Sequence, residues 1–309
     1  MKLGPHAIVQ LRAGSASAQL LPQCGGRVAT LQLPGTGGAP IDVLYPYPLD
    51  APFDPVRWEK GGIYPLMPYS NRIANARLRV EGEDIALKPH PDAQPHALHG
   101  NAHRLSWRLD QRDETSAVLR LDAPPSADWP WHYSGRLDIT LSAEALHMRI
   151  EISNAGARSM PAGIGLHPYF QHLPQALLGY HADAVWPPTA EFLAMAPRVP
   201  HADEIYRPAR PLVPGGLTHY VGAWDGRAEV ALPQGALLRI EADAQFGHLV
   251  VHRPDNQAYL CLEPVSHVAD GFNLAAQGVA GTGTHWLAAG EALAGAMRFS
   301  LATNPQGHA

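Results

Sequence analysis

Residues 136–153 read Arg-Leu-Asp-Ile-Thr-Leu-Ser-Ala-Glu-Ala-Leu-His-Met-Arg-Ile-Glu-Ile-Ser. Apolar and polar side chains alternate over residues 136–142, and the alternation returns over residues 146–153. Successive side chains of a strand point to opposite faces, so each run predicts a strand with one face in a core and one in water. The residues between them, Ala143-Glu144-Ala145, are few enough for a hairpin loop. The segment therefore predicts an antiparallel sheet.

The same period of two recurs along the chain. A second hairpin is predicted where residues 78–80 and 85–87 flank a Glu81-Gly82-Glu83 turn, and further alternating runs cover residues 105–109, 118–121, 238–242 and 297–301. The 29 glycines and 30 prolines are spread over almost the whole length. Proline removes a backbone donor and clashes with the preceding helical turn, so long helices are disfavoured. We expect only short helical turns, near Ala275 and from Gln175 to Leu178.

These patterns predict an all-β fold, a large antiparallel β-sandwich of two packed, twisted sheets. A chain of 309 residues fits one large β domain, so we expect residues 1–309 to form a single domain. The proline-rich segment from Pro197 to Pro214 predicts a long loop, with a domain boundary as the alternative.

Composition restricts the function. Hydrophobic residues make up 46% and charged residues 17%, which is typical of a globular protein. The net charge is −5 and there is no run of Lys or Arg, so neither nucleic acid nor an anionic membrane is an expected partner. No segment approaches the roughly 18 apolar residues that span a bilayer, and residues 1–6 contain no long apolar run, so we expect no signal peptide and a cytoplasmic protein. The sequence does not indicate an oligomeric state.

Metal and cofactor signals are weak. The two cysteines, Cys24 and Cys261, form no C-x-x-C pair, and no phosphate-binding loop is present. Among the 17 histidines there is a local patch of four: His90, His96, His99 and His103. It lies in a proline-rich segment and lacks the helical H-x-x-x-H spacing of many metal sites. We therefore expect no metal and no cofactor, although a metal-dependent all-β enzyme remains an alternative.

Four segments carry residue types suited to chemistry. Residues 61–73 end in Asn71-Arg72-Ile73 after a turn-forming aromatic stretch, and residues 98–100 are Leu-His-Gly. In His167-Pro168-Tyr169-Phe170 the proline favours an extended conformation for the histidine. Glu263 follows an apolar run, and partial burial would raise its pKa and suit it to general-base catalysis. Each has a plainer interpretation: a surface arginine, a core histidine, or a solvated glutamate at a strand end.

The order of these motifs is more specific than any one of them. Asn71-Arg72-Ile73, a Leu98-His99-Gly100 27 positions later, the His-Pro-Tyr-Phe and the Glu-Pro near the C-terminus together resemble the aldose 1-epimerase (galactose mutarotase) family. The resemblance covers residues 62–273. The Pro-Tyr-Ser-Asn-Arg-Ile and Glu-Pro-Val-Ser-His forms are closest to a bacterial, less characterised subgroup of that family.

The resemblance implies a galactose mutarotase-like supersandwich with a sugar cleft on one sheet. It implies Glu263 as the catalytic base, His167 as the acid, and Arg72, Asn71 and His99 as substrate-binding residues. Many members carry an Asp-His pair whose aspartate holds sugar hydroxyls. The nearest counterpart here is Thr218-His219, so a threonine stands in place of that aspartate.

The implied activity is interconversion of the α and β anomers of a free sugar. Ionised Glu263 would take the proton of the C1 hydroxyl while protonated His167 gives one to the ring oxygen. Two alternatives stay open at this point: a non-catalytic or regulatory carbohydrate-binding protein on the same fold, and an epimerase that acts on a phosphorylated or otherwise modified sugar.

Overall fold

A computed structural model of the protein describes residues 7–35, 37–171, 176–232 and 235–303. The strands are β1 (Val9–Ala13), β2 (Ala16–Leu21), β3 (Arg27–Pro34), β4 (Pro40–Asp42), β5 (Ile63–Leu66), β6 (Arg72–Ile73), β7 (Arg77–Val80), β8 (Glu83–Ala86), β9 (Ala97–Leu98), β10 (Arg108–Arg112), β11 (Ser116–Ala123), β12 (Tyr133–Leu141), β13 (Ala145–Asn154), β14 (Met160–Ala162), β15 (Gly165–Gln171), β16 (Leu177–Val185), β17 (Arg210–Pro211), β18 (Leu217–Ala231), β19 (Ala236–Ala242), β20 (His248–Arg253), β21 (Tyr259–Val265), β22 (His285–Leu287) and β23 (Ala292–Thr303). The helical elements are α1 (Gly271–Ala276) and short 3-10 turns at Ala74–Ala76, Pro91–Ala93, Ala102–Arg104 and Ala202–Glu204.

The strands pair in one long antiparallel series. Each strand in the order β10-β11-β12-β13-β23-β19-β18-β20-β21-β15-β5-β3-β2-β1 is antiparallel to the next, and the all-β antiparallel fold class is confirmed. The first half of β18 pairs with β20 and its second half with β19, so this strand passes from one layer to the other. The change falls between two residues with positive φ, Ala223 and Gly226.

The main core lies between the two layers. Phe170 of β15 and Phe299 of β23 come from opposite layers, both are fully buried, and their ring centroids are 6.1 Å apart. Apolar side chains at every second position of long strands such as β11, β12 and β13 supply most of this core, as an alternating pattern requires.

A second apolar cluster covers the outer face of the layer that contains β15, β20 and β21. Along β15 the side chains of Leu166 and Phe170 belong to the main core, whereas Tyr169 belongs to the outer cluster. A shift of one residue in register would exchange the two faces. The strand period therefore decides that His167, like Tyr169, faces outward.

The hairpin predicted from residues 136–153 is confirmed as β12 and β13, and the one around Glu81-Gly82-Glu83 as β7 and β8. The helical turn near Ala275 is α1. The turn from Gln175 to Leu178 is wrong where it is described, because Leu177 and Leu178 open β16; Gln175 lies outside the described residues.

The proline-rich stretch from Pro197 to Pro214 is a long connection that holds one 3-10 turn and the two-residue strand β17. In the described part of the chain, no helix has the length and apolar character needed to cross a membrane.

Candidate active site

A cavity of about 320 Å³ opens on the outer face of the layer that contains β15, β20 and β21. Its lining includes every residue that the sequence predicted for the site: Asn71, Arg72, His99, His167 and Glu263. These residues come from four separate segments of the chain, so the fold brings together the motifs that the sequence shows apart.

The strand register places His167 beside Glu263. Gly165 pairs with Val265 and Tyr169 with Cys261 across β15 and β21, which puts His167 opposite Glu263 between them. Side chains directly opposite on one face of an antiparallel pair are in contact range. Nε2 of His167 lies 3.4 Å from Oε1 of Glu263, and both side chains are buried. The other polar atoms, Nδ1 of His167 and Oε2 of Glu263, have no hydrogen-bond partner among the described residues.

Burial shifts both groups toward their neutral forms. It raises the pKa of Glu263 from 4.5 to about 8. Burial, followed by the nearby His99 and Lys60, lowers the pKa of His167 well below its ordinary value. At neutral pH the pair therefore holds one proton, which burial places on the carboxyl. The raised pKa of Glu263 agrees with the prediction, whereas a protonated His167 in the free protein is not what burial favours, because the ring has lost its water.

Aromatic rings hold the imidazole of His167. Tyr64 and Tyr169 stack against it with centroid distances of 4.6 and 4.7 Å, and His99 meets it edge-on at 5.2 Å. Beneath them the guanidinium of buried Arg27 lies 4.6 Å from the centre of the Tyr64 ring. Rings from three separate segments of the chain therefore fix the orientation of the His167 imidazole.

His99 has a defined tautomer. Its backbone is left-handed, with φ of 57°, and its N–H donates to the carbonyl of Asn71 at 2.8 Å. Nδ1 of His99 accepts a hydrogen bond of 3.0 Å from the backbone N–H of Asn71. Burial lowers the pKa of His99 well below its ordinary value, so the ring is neutral. A neutral ring that accepts at Nδ1 carries its proton on Nε2, which makes His99 a hydrogen-bond donor.

Arg72 lies at one side of the cavity. Arg72 begins β6, which pairs with β9, and it lies opposite Leu98, the residue before His99. The guanidinium donates to the backbone carbonyl of Glu191 and lies 4.9 Å from the centre of the Phe192 ring. Asn71 uses its side-chain oxygen to accept from the N–H of Arg72, at 2.9 Å. Asn71 thus shapes the turn that presents Arg72, in addition to lining the cavity.

Thr218 lines the cavity, and His219 does not. The alternation of β18 points His219 away, where its ring meets that of Tyr206. Oγ1 of Thr218 lies 2.9 Å from Nδ1 of His252, its partner across β18 and β20. The threonine for which the resemblance implies an aspartate therefore lies in the wall of the cavity.

The histidine patch separates in the structure. His90 and His99 line the cavity. Nδ1 of His96 accepts from the N–H of Asn75, and the ring of buried His103 packs on Trp58 at 4.5 Å. Among the described residues, one group has the spacing to hold a metal ion: His167, Cys261 and Glu263. The thiol fits a soft metal poorly, because burial raises the pKa of Cys261 well above its ordinary value and disfavours the thiolate.

Sequence reasoning did not identify several residues that line the cavity: Trp58, Lys60, Tyr64, Tyr169, Phe192 and His252. Tyr64 and Tyr169 lie within the motifs described above. Tyr169 is two residues from His167 on the same strand, so the alternation of side chains could have placed both on one face. Trp58, Lys60 and Phe192 lie on loops, for which the sequence gives no position.

Comparison with known proteins shows the family to which the chain belongs. The profile of the Aldose 1-epimerase family matches residues 7–300.

The chain belongs to the aldose 1-epimerase family.

Among its relatives, the Escherichia coli protein YphB is 26% identical over 217 residues, which cover 67% of this chain and 73% of YphB. Two solved structures share the aldose 1-epimerase fold. A putative aldose 1-epimerase from Escherichia coli superposes with a TM-score of 0.83 at 23% identity, covering 96% of this chain and 99% of the other. Galactose 1-epimerase from Lactobacillus acidophilus superposes with a TM-score of 0.75 at 14% identity, covering 98% and 97%. The predicted galactose mutarotase-like architecture is confirmed.

Proposed function

We propose that the protein is an aldose 1-epimerase that interconverts the α and β anomers of a free aldose by opening and reclosing the sugar ring. The observation that carries the proposal is the 3.4 Å contact between Nε2 of His167 and Oε1 of Glu263 on the wall of the cavity. Ring opening needs one group that accepts a proton and one that donates a proton, both at the same acetal carbon. A buried pair that shares one proton supplies both.

Ring opening moves one proton onto Glu263 and one proton off His167. The carboxylate of Glu263 takes the proton of the C1 hydroxyl, the bond from C1 to the ring oxygen breaks, and the imidazolium of His167 protonates that oxygen. The open aldehyde rotates about C1–C2, and the reverse steps close the ring on the other face. The reactive form, with Glu263 ionised and His167 protonated, differs from the neutral pair that burial favours by the transfer of one proton from Glu263 to His167. A sugar hydroxyl that donates to Glu263 favours this transfer, because a hydrogen bond to the ionised form lowers a carboxyl pKa.

Two hydrogen-bond donors in the cavity wall support a role in orienting the sugar. His99 presents the N–H at Nε2, and Arg72 presents guanidinium N–H groups beside Asn71. We propose that both hold sugar hydroxyls and that the N–H of His99 stabilises charge at the ring oxygen, as preorganised donors do in other enzymes.

Polarimetry of freshly dissolved α-D-glucose and α-D-galactose tests the proposal. The wild-type protein is expected to speed equilibration, and Glu263→Gln and His167→Asn are each expected to lower kcat by roughly 10²–10⁴-fold, the usual contribution of a general acid or base. Glu144→Gln removes an exposed carboxylate on the β12–β13 loop and is the matched control. Wild-type rates in Glu263→Gln would refute the base assignment.

Calorimetry together with polarimetry tests the alternative of a regulatory sugar-binding protein, which the threonine at position 218 favours. A sugar-binding protein would show saturable binding by calorimetry without any acceleration of anomer exchange. Acceleration that disappears in Glu263→Gln would reject that alternative.

A further inference from the structure

The cavity has two cationic side chains that no carboxylate neutralises. Lys60 and Arg72 both line it. Within the described ranges of the chain, neither forms an ion pair with a carboxylate. Nζ of Lys60 lies 4.7 Å from the centre of the Trp58 ring, and the Arg72 guanidinium donates to an uncharged acceptor, the backbone carbonyl of Glu191. Both cations are therefore available to a ligand.

The acidic groups nearby, Asp92 beside Lys60 and Glu191 beside Arg72, offset this charge only in part. Burial keeps Glu263 protonated at pH 7, because its pKa is about 8. Asp92 lines the cavity but lies 3.7 Å from Arg57, and both of these side chains are at least half exposed. The carboxylate of Glu191 lies 3.4 Å from Nε2 of His96 and is itself exposed. The lining therefore carries two cationic side chains against one exposed carboxylate, that of Asp92, which leaves an excess of positive charge.

The threonine at position 218 adds no negative charge to the cavity. An aspartate there would add a negative charge to the cavity, whereas Thr218 is neutral and paired with His252. His252 pairs with Cys261 across β20 and β21, two residues along from the pair of Val250 with Glu263. Two residues of a strand span about 7 Å, and His252 and Thr218 are also one and two strands away from Glu263, so their backbones lie more than roughly 7 Å from the proposed reaction centre. They are placed for the end of a sugar that is remote from C1.

We propose that the preferred substrate is an anionic aldose, a sugar that carries an oxyanion such as a carboxylate or phosphate on the carbon remote from C1, with Lys60 and Arg72 as its counter-charges. Thr218 and His252 would face the same end of the sugar as neutral hydrogen-bonding groups. The inference rests on the proposed ring-opening function and adds the class of substrate to it. It explains why the aspartate of other members is absent, since a carboxylate at that position would repel the anion.

Anomer exchange measured by magnetisation-transfer NMR tests the substrate class. D-glucuronate and D-glucose 6-phosphate are the anionic probes, and D-glucose is their neutral counterpart. We expect kcat/KM for at least one anionic probe to exceed that for glucose tenfold or more, and the two anionic arms distinguish a carboxylate site from a phosphate site. In Lys60→Gln the ratio of anionic to neutral kcat/KM is expected to fall at least fivefold. Lys88→Gln, an exposed lysine outside the cavity, should keep the wild-type ratio.

Binding of the anionic probes to Glu263→Gln, measured by calorimetry, keeps the two proposals separable. Turnover of glucose that equals or exceeds turnover of both anionic probes would overturn the anionic class and leave the epimerase function standing. Lys60-dependent binding of glucuronate or glucose 6-phosphate without any anomer exchange would support the anion site and overturn the epimerase function. An unchanged ratio in Lys60→Gln would remove Lys60 from the site and refute the inference as stated.

Discussion

Replacement of Glu263 by glutamine should stabilise the fold while it abolishes activity. Burial raises the pKa of this carboxyl from 4.5 to about 8, so at neutral pH the folded protein holds a proton that the unfolded chain releases. A raised pKa means that the stability contributed by proton binding is present at low pH and is lost as the pH rises from 4.5 toward 8. Glutamine resembles the protonated side chain and has no proton to release, so the variant does not lose this stability.

The size of the effect follows from the width of the pH interval. Each pH unit between the two pKa values is equivalent to about 1.4 kcal/mol. At pH 7, 2.5 units above the ordinary pKa of 4.5, the advantage of Glu263→Gln in the free energy of unfolding is of order 3 kcal/mol. At pH 5 it should be below roughly 1 kcal/mol, so the difference grows by roughly 2–3 kcal/mol between the two conditions.

Urea unfolding of wild type and Glu263→Gln at pH 5 and pH 7 measures this directly, with far-ultraviolet circular dichroism as the probe. Glu144→Gln serves as the control, because it removes an exposed carboxylate and should show no such pH-dependent gain. A difference between Glu263→Gln and wild type that is absent at pH 7, or that is equal at both pH values, would refute the argument that Glu263 is buried in its protonated form.

Three further predictions address the site and its support. The pH profile of kcat/KM for a neutral aldose should fall above about pH 8, where Glu263 gives up the single proton of the pair, and should stay flat down through pH 6.5, because the pKa of His167 lies well below that value; an acid limb centred at pH 6.5 would contradict this. His99→Asn removes the N–H at Nε2 and should lower kcat/KM by roughly 10–100-fold, as expected for one strong hydrogen bond of about 1.5–3 kcal/mol, with an unchanged circular dichroism spectrum; wild-type kinetics would rule out the donor role. Gly163→Ala should destabilise the fold by roughly 1–3 kcal/mol in urea, because the new Cβ would lie 2.1 Å from a ring carbon of His267; an unchanged unfolding midpoint would show that the ring moves freely.

Strand periodicity predicted much of the fold. The alternation in residues 136–153 predicted the β12–β13 hairpin, and the observed register sets apolar positions such as Leu137 and Ile150 opposite each other, because one buried face permits only one parity. The run expected at residues 105–109 begins later, at Arg108, because residues 102–104 form a 3-10 turn and the N–H of Trp107 donates to the carbonyl of Pro22. Such long-range contacts leave no local pattern in the sequence.

In the candidate site, the proposed catalytic residues on strands were predicted from the sequence, whereas several residues on loops were not. The positions of Glu263 and His167 followed from motifs on strands, and the register that sets them opposite each other is a property of the sheet. The proton distribution did not follow, because burial depends on side chains from distant segments. Lys60 and Phe192 also escaped prediction, since loops carry them to the cavity and no periodic pattern indicates where a loop lies.

The most direct test of the central claim is the rate of exchange between α and β anomers at neutral pH, measured by magnetisation-transfer NMR on D-glucose and D-glucuronate with equal concentrations of wild type and Glu263→Gln. Ring opening by the Glu263–His167 pair predicts exchange well above the buffer rate with wild type on at least one of the two sugars, and exchange near the buffer rate with the variant. Equal exchange rates for the two proteins, whether fast or at the buffer level, would contradict it.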